Sequence, residues 1–404
     1  MANSYSGGYG QFWAKMAQAL LLKVAIFPKI ARRKEEEGHL KLGYRVHFPY
    51  GSKAAVRSVA STGAVGRGDT TITDEYIDID QWKAITRFID NRTLIQGSFD
   101  VKNELARIDA TQMANYIDGK VLGEVINVPS ANVVDAGSVG GSAGTPISLD
   151  TGNVWKVITA VGEKLNAQSA DTSRRFGALS PNFINILDQY RGGKESGLGD
   201  KVTENGFLRN LYGMEMYMTN NSLFETRINF GTTNASDGDT FTINGITFTL
   251  ETTTATAGGI QIGASVAATC DNIVTALDAP FTSVADVYTT LSDTEATRLA
   301  LEGLDAVDGT TYVTVYMYGG SDIAVSETFA SANITLSKQV QHLVFGVKDK
   351  ISLAIQKTPN GYDKDRSGDS YIYLGKDIIV ETLYGTKLFT ELAKEVVDVQ
   401  IDVS

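Results

Sequence analysis

Residues 45–90 alternate in a way that demands a surface outside themselves. Val46, Phe48 and Tyr50 alternate with Arg45, His47 and Pro49, and Ile77 and Ile79 alternate with Asp78 and Asp80. Between them, Gly51 to Thr73 is rich in Gly, Ser, Thr and Ala. Two half-buried strands joined by a long small-residue tip make an extended hairpin. A lone hairpin is marginal in water, so the pattern predicts a partner surface. The stretch before it makes the same demand. A Gly/Ser/Tyr-rich start leads into a helical patch of Leu20, Leu21, Val24, Phe27 and Ile30, with Pro28 limiting the run. That patch must lie on the body of its own chain or on a neighbour.

Charge is segregated along the chain. Residues 1–60 hold ten Lys/Arg against three Glu, whereas residues 228–336 hold one basic residue, Arg298, against thirteen Asp/Glu. Such segregation suggests two ends facing different surroundings. Composition otherwise suits a globular chain: of 404 residues, 43% are hydrophobic, which excludes disorder and collagen. The longest apolar stretch, Met16 to Phe27, is twelve residues broken by Gln18 and Lys23, too short to span a bilayer. MANSYSGGYG has neither a charged n-region nor a cleavage site, so no secretory signal is expected. Cys270 is the single cysteine, which forbids an intrachain disulfide and favours an intracellular, reducing compartment.

Residues 100–127 read as one helix roughly 40 Å long at 1.5 Å per residue. Val101, Leu105 and Ile108 begin one stripe, Met113, Ile117, Val121 and Val125 continue another, and Pro129 ends it. After a loop from Ala131 to Thr145, Asp150 or Thr151 caps a helix bearing Val154, Val157, Ile158, Val161 and Leu165. A strand, Phe176 to Leu179, precedes a helix opened by Ser180-Pro181. Residues 191–205 read as a polar loop, and Met214, Met216 and Met218 as a strand ending at Asn220-Asn221.

Near residue 228 the style changes. Residues 228–336 hold 22 threonines. Asn244-Gly245 between Phe241, Ile243, Ile246 and Phe248 is a strong hairpin signal. Ser265 caps a helix, Ser292 to Glu295 is a capping box, and Val313, Val315 and Met317 form a strand. This reads as a self-contained β-rich α+β unit inserted into the rest, one that could be excised between 231 and 335. Beyond it, Val340, Leu343, Val344, Val347, Ile351 and Ile355 follow helical spacing. A polar loop, Pro359 to Ser370, then strands around Ile372, Leu374 and Ile378 to Val380, a turn at Tyr384-Gly385 and a strand with one buried face, Val397 to Val403, complete the reading.

No nucleophile–base constellation is present: GxSxG, HExxH, GxxxxGK[ST] and paired-Cys motifs are all missing. No catalytic, cofactor-binding or metal-ligating residue is therefore assigned, and no cofactor is expected. With three histidines (His39, His47, His342) and one cysteine, a soft-metal site is not expected. His342 beside Val340–Leu343 reads as a packed or surface histidine lacking an orienting partner. Asp363 to Asp369 resembles half of a calcium loop, with Leu374 where the closing Glu belongs, so a polar loop is the expectation. Lys29, Arg32, Arg33 and Lys34 could screen phosphates, but Glu35–Glu37 blunt them. Lys53 in the hairpin is expected to be an ordinary surface lysine.

The order of parts resembles the major capsid proteins of tailed bacteriophages, with their Hong Kong-97-type α+β fold. The resemblance covers about 1–227 and 337–404. It rests on Ala178-Leu-Ser-Pro-Asn-Phe-Ile-Asn-Ile-Leu187, Asn205-Gly-Phe-Leu-Arg-Asn-Leu-Tyr-Gly213, Met218-Thr-Asn-Asn221 and Tyr384-Gly385, with Thr219 where the family has Ser. It implies an N-terminal arm (1–44), an extended loop (45–99), a peripheral domain with a spine helix and the first part of an axial domain (100–227), and an insertion domain (228–336). The remainder of the axial domain and a closing peripheral strand would occupy 337–404, with 175–227 and 337–383 axial and 395–403 returning to the peripheral sheet. The implied role is a non-enzymatic coat subunit of the virion. It would assemble in the host cytoplasm as hexamers and pentamers of a shell around double-stranded DNA, contacted non-specifically on the inner face. Possible partners are scaffolding, portal and decoration proteins, and no membrane is involved. Deleting 1–44 should leave soluble, non-assembling protein. Encapsulin-like shells and phage tail or adhesin proteins are the alternatives.

Overall fold

The computed structural model describes residues 25–32, 45–51, 56–59, 61–62, 71–90, 101–192, 210–254, 256–301, 303–318, 324–367 and 372–403. Its first part contains α1 (Phe27–Ile30), β1 (Arg45–Gly51), β2 (Ile72–Asp78), β3 (Gln81–Asp90), α2 (Val101–Gly123), β4 (Val133–Val134), α3 (Val154–Ala167), β5 (Arg175–Leu179), α4 (Pro181–Gly192), β6 (Asn210–Leu211), β7 (Met214–Met218) and β8 (Leu223–Asn229). Next come β9 (Thr240–Ile243), β10 (Ile246–Glu251), β11 (Gly259–Gln261), α5 (Val266–Asp278), α6 (Asp293–Leu301), β12 (Leu304–Asp308), β13 (Tyr312–Met317) and β14 (Val325–Thr328). The chain closes with β15 (Thr335–Val347), β16 (Ile351–Ser367), β17 (Ile372–Leu388) and β18 (Val396–Asp402). These divide into two compact units: one from described residues within 32–109 and 351–389, the other from those within 21–31, 110–350 and 390–404.

In the first unit β1 and β2 form the expected hairpin, antiparallel, with Arg45 opposite Asp78 and Gly51 opposite Ile72. Polar cross-strand pairs hold it: Arg45 Nε donates to Asp78 at 2.7 Å, His47 Nδ1 lies 2.6 Å from Asp74, and the Arg45 guanidinium sits 3.7 Å from the Tyr76 ring centroid. β16, β17 and β3 make a separate three-stranded antiparallel sheet with β17 in the middle. Ile351, Leu353, Ile355, Ile378, Val380 and Leu388 are buried there.

Several expectations fail in this unit. Tyr384-Gly385 is no turn, since both lie within β17, where Tyr384 pairs with Gln81 and Ile355. Glycine is required because a Cβ at 385 would strike the Asp78 carbonyl. The polar loop expected from Pro359 is strand as far as Ser367, with Asp363 opposite Ile378 and Asp365 opposite Lys376. Gly368 and Asp369 lie outside the described residues, as do 1–24, 33–44, Lys53 and 193–209.

In the second unit, and among the described residues, the sheet has nine strands in the order β12-β13-β8-β15-β5-β7-β6, with β18 on β15 and β4 on β18. The helical stripe read from Val340 to Ile355 is therefore two strands, β15 and β16, separated by a turn in which Asp349 has φ +65°. β18 has Val396, Val397, Asp398 and Val399 all buried, so both of its faces are covered rather than one. Residues 351–388 pair with β3, and 396–402 join the sheet of 175–229. Pro28 does not end a helix but sits in the first turn of α1, where its missing N–H costs nothing.

α3 and α4 pack Val157, Ile158, Val161, Leu165, Phe183 and Leu187 into one core with Phe345 and Val399. α2 buries Met113, Ile117 and Val121 as expected, while Ile108 is 41% exposed. Residues 228–336 own a second core, from Ile228 and Phe241 to Ile334, with partly buried Leu336 against it. The expected cap Ser265, the Ser292–Glu295 box and the Asn244-Gly245 turn (φ +49° and +76°) are all present. The segment is not self-contained, however: its β12 and β13 extend the large sheet through β8. Tyr318, just past β13, lies against α2 at Gly119 and Gly123, and Lys120 pairs with Asp305 and sits 3.8 Å from the Tyr318 ring centroid. Excision between 231 and 335 would remove this seat.

Gly119→Ala tests it. In an ordinary helix interior the change would add about 1 kcal/mol. Here the new Cβ meets the Tyr318 carbonyl, and overpacking of this kind costs roughly 1–3 kcal/mol. Thermal unfolding should show a lowered Tm.

Candidate assembly surfaces and a buried ionic cluster

His342 on β15 is 2% exposed, and the structure supplies the orienting partners that its sequence neighbourhood did not show. Its Nδ1 is 3.0 Å from both Asp398 oxygens, and its Nε2 is 3.2 Å from Glu225 Oε2. Asp398 comes from β18 and Glu225 from β8, so one ring bridges three adjacent strands. With a carboxylate on each nitrogen, both nitrogens donate, which is the imidazolium form. Burial alone would push the imidazolium's pKa down. Asp398 and Glu225 overcome it and raise it to about 9. Gln400 donates to Asp398 at 3.0 Å, and Arg227 lies 3.4 Å from Glu225 with its guanidinium 4.2 Å from the Tyr312 ring centroid. Two carboxylates thus face two cations. The partners lie 56 and 117 residues away from His342, and only strand pairing brings them together.

The other singled-out residues lie apart from this cluster. Cys270 is buried in the second core, and burial first, then Asp308 and Asp271, push its thiol up to about 12. The Lys29 ammonium lies 5.4 Å from the Tyr217 ring centroid, and the Arg32 backbone bridges to Ser352. Arg33 and Lys34 are outside the described residues. Among the described residues there is no group of three or more His, Cys, Asp or Glu that could hold a metal ion, and no helix long and apolar enough to cross a membrane.

What the first unit offers is exposed apolar surface. Val56 is fully exposed, Val59 is 62%, Ile72 71% and Trp82 71% exposed. On β3, Trp82, Ala84, Thr86 and Phe88 occupy the exposed alternate positions. The Trp82 indole still donates to Glu381 at 2.9 Å, and Lys357 pairs with the same carboxylate, so the ring is held in place.

No protein-family model and no curated protein matches the chain. Solved structures do. One from Mycobacterium phage Che8 is 12% identical with a TM-score of 0.51, the match spanning 93% of this chain and 90% of that one. The capsid structure of cyanophage P-SCSP1u is 10% identical with a TM-score of 0.50, spanning 94% and 89%. The chain has the Hong Kong-97-type capsid fold. Within this capsid fold the long helix α2 and the β1–β2 hairpin stand in the expected order, and His342 is a buried ion paired on both nitrogens.

The sign of its linkage is fixed by the raised pKa. The folded state holds the proton more tightly than the unfolded one, so the stabilisation is complete below about 6.5 and disappears as pH rises through about 9. Denaturant unfolding of the wild type should weaken over that interval by on the order of 3 kcal/mol. His342→Gln, which leaves two buried carboxylates facing each other, should lose roughly 3–5 kcal/mol at pH 7 and lack that alkaline slope.

Proposed function

We propose that this chain is the structural coat subunit of a tailed-phage head, a non-enzymatic protein that closes into an icosahedral shell around double-stranded DNA. The observation that carries the reading is the exposure of Val56 and Val59, between the two strands of the hairpin, and of Ile72 at the start of β2, in a chain of capsid fold. Isolated apolar side chains at a surface are ordinary. In a hairpin whose strands are joined by polar pairs and by the buried Ile77, these three side chains are left for another copy to cover.

The mechanism is mechanical. Many modest contacts, repeated by symmetry, close a shell of hexamers and pentamers. Standard protein interfaces bury about 800 Å² per partner, and a projecting hairpin adds such area without enlarging the body. Residues 1–44 act as the arm and 228–336 as the insertion. The acidic insertion faces outward, where like charge keeps particles apart, and the basic arm faces inward or lies under neighbours. Scaffolding, portal and decoration proteins are the companions this reading calls for, and the virion is the location.

Because Phe27 and Ile30 are buried, deleting 1–44 would strip the core, and the arm test is a deletion of 1–24 instead. Negative-stain microscopy of concentrated full-length protein should show closed shells. The triple change Val56→Asp, Val59→Asp and Ile72→Asp should leave thermal unfolding within about 0.5 kcal/mol of wild type, as for surface positions, and abolish shells. Tubes, or a monomer at every concentration, reject the reading.

A further inference from the structure

The segment that enters the second unit at Ala25 is gripped by its backbone. Ala25, Phe27, Ile30 and Ala31 are buried, yet α1 has only four residues and its N-cap, Ile26, has no side chain able to cap. Helix starts leave N–H groups without intrahelical partners, and Pro28 has no N–H to offer. The two donors that remain both go to one side chain on α2. Ile26 N–H donates to Asp118 Oδ2 at 2.9 Å and Phe27 N–H to Asp118 Oδ1 at 2.8 Å. Asp118 is 1% exposed.

A second observation comes from Met218-Thr-Asn-Asn221, whose chemistry the assembly reading leaves unused. Asn221 Nδ2 lies 3.4 Å from Asp118 Oδ2 and 3.3 Å from Asn115 Oδ1, while Asn221 N–H donates to Thr219 Oγ1 at 3.0 Å. The strand end is thereby turned back onto α2, where its amide braces the carboxylate. At the far end of the segment, Asp349 N–H donates to the Ile30 carbonyl at 2.8 Å.

We propose that Asp118, braced by Asn221, is the positioning residue that latches the root of the N-terminal arm, and that a closed latch is required for a subunit to enter the shell. The second clause rests on the coat-protein reading; the first does not. Two consecutive backbone donors need two acceptor oxygens on one group, and an ionised carboxylate is the side chain that has them. Asparagine would keep one acceptor and turn an amide N–H toward the other donor. Burial pushes the Asp118 carboxyl up to about 6, against the pull of Ile26, Phe27 and Asn221, so it is ionised at pH 7. The consequence for assembly is one of effective concentration. An arm leaving from a fixed root presents itself to a neighbour at a defined place, whereas one with a loose root must be ordered again at each contact.

The test is hydrogen exchange by mass spectrometry on the full chain, wild type against Asp118→Ala and Asp118→Asn, with shell yield by microscopy on the same samples. Both variants should exchange at least tenfold faster across residues 26–31, with α3 and β18 unchanged, and should give few or no shells. Unchanged exchange across 26–31 overturns the latch. An equal loss of protection in α3 and β18 in both variants also overturns it, since Asp118 would then be a general core contact. Selective loss with normal shell yield keeps the latch and rejects its role in assembly. Selective loss in a protein whose wild type forms no shell keeps the latch and rejects the coat-protein reading itself.

Discussion

β15 is hydrogen-bonded on both edges, and the second unit is registered by it. One edge takes β8 along its first half and β5 along its second, while the other takes β18. A strand so placed is buried on both faces, and Val340, Leu343, Val344, Phe345 and Val347 are all inside. That makes a polar residue on it expensive unless fully paired. His342 is the polar residue, and it is paired on both nitrogens. The side chain that would otherwise weaken the strand most fixes its register against β8 and β18 at once. A slip by one residue would set the ring on the opposite face and leave Asp398 and Glu225 without it.

The same burial explains what the sequence concealed. Alternation is visible only where one face is wet. β1 and β2 are wet, and their register follows from Val46, Phe48 and Tyr50 against the polar residues between them. Local chemistry was equally plain: Asn244-Gly245, Ser265 and the Ser292–Glu295 box each act within a few residues of themselves. Val340 to Ile355 has no wet face in β15 to break the run, so its apolar positions coincide with helical spacing. The β-branched content and the Asp349 turn were the available signals for strands. Gly385 and the partners of His342 depend on residues hundreds or tens of positions away, and neither spacing nor composition carries that information.

The insertion shows how a segment can look separate in composition without being separable in structure. It has its own core because Phe241, Phe248, Ile273 and Leu299 satisfy one another. Yet β12 and β13 needed a sheet edge and found it on β8, and Tyr318 needed a place where a helix backbone could be approached closely. Gly119 and Gly123, one turn apart on α2, provide that place. Side chains at four-residue spacing share a helix face, so two glycines there make a groove rather than two isolated gaps. Composition marks where the segment begins and ends; backbone hydrogen bonds decide whether it could stand alone.

A chain with segments standing outside its compact units faces a conflict between order and reach. Parts that reach a neighbour cannot be buried in their own body, and parts outside the body are costly to order. The fold meets this by fixing the roots firmly and leaving the reaching parts plain. The hairpin root is held by Arg45 with Asp78, and Asp78 in turn lies against Gly385, where no side chain intrudes. The arm root is held by two backbone donors on one carboxylate, with Phe27 and Ile30 sunk beside it. In both places a charged group is committed to the backbone or to a cross-strand partner. Val56, Val59 and Ile72 stay exposed among polar neighbours such as Arg57 and Thr73. Apolar contact is non-directional, so under the proposed coat-protein reading the same residues serve in contacts that differ slightly from one position to the next.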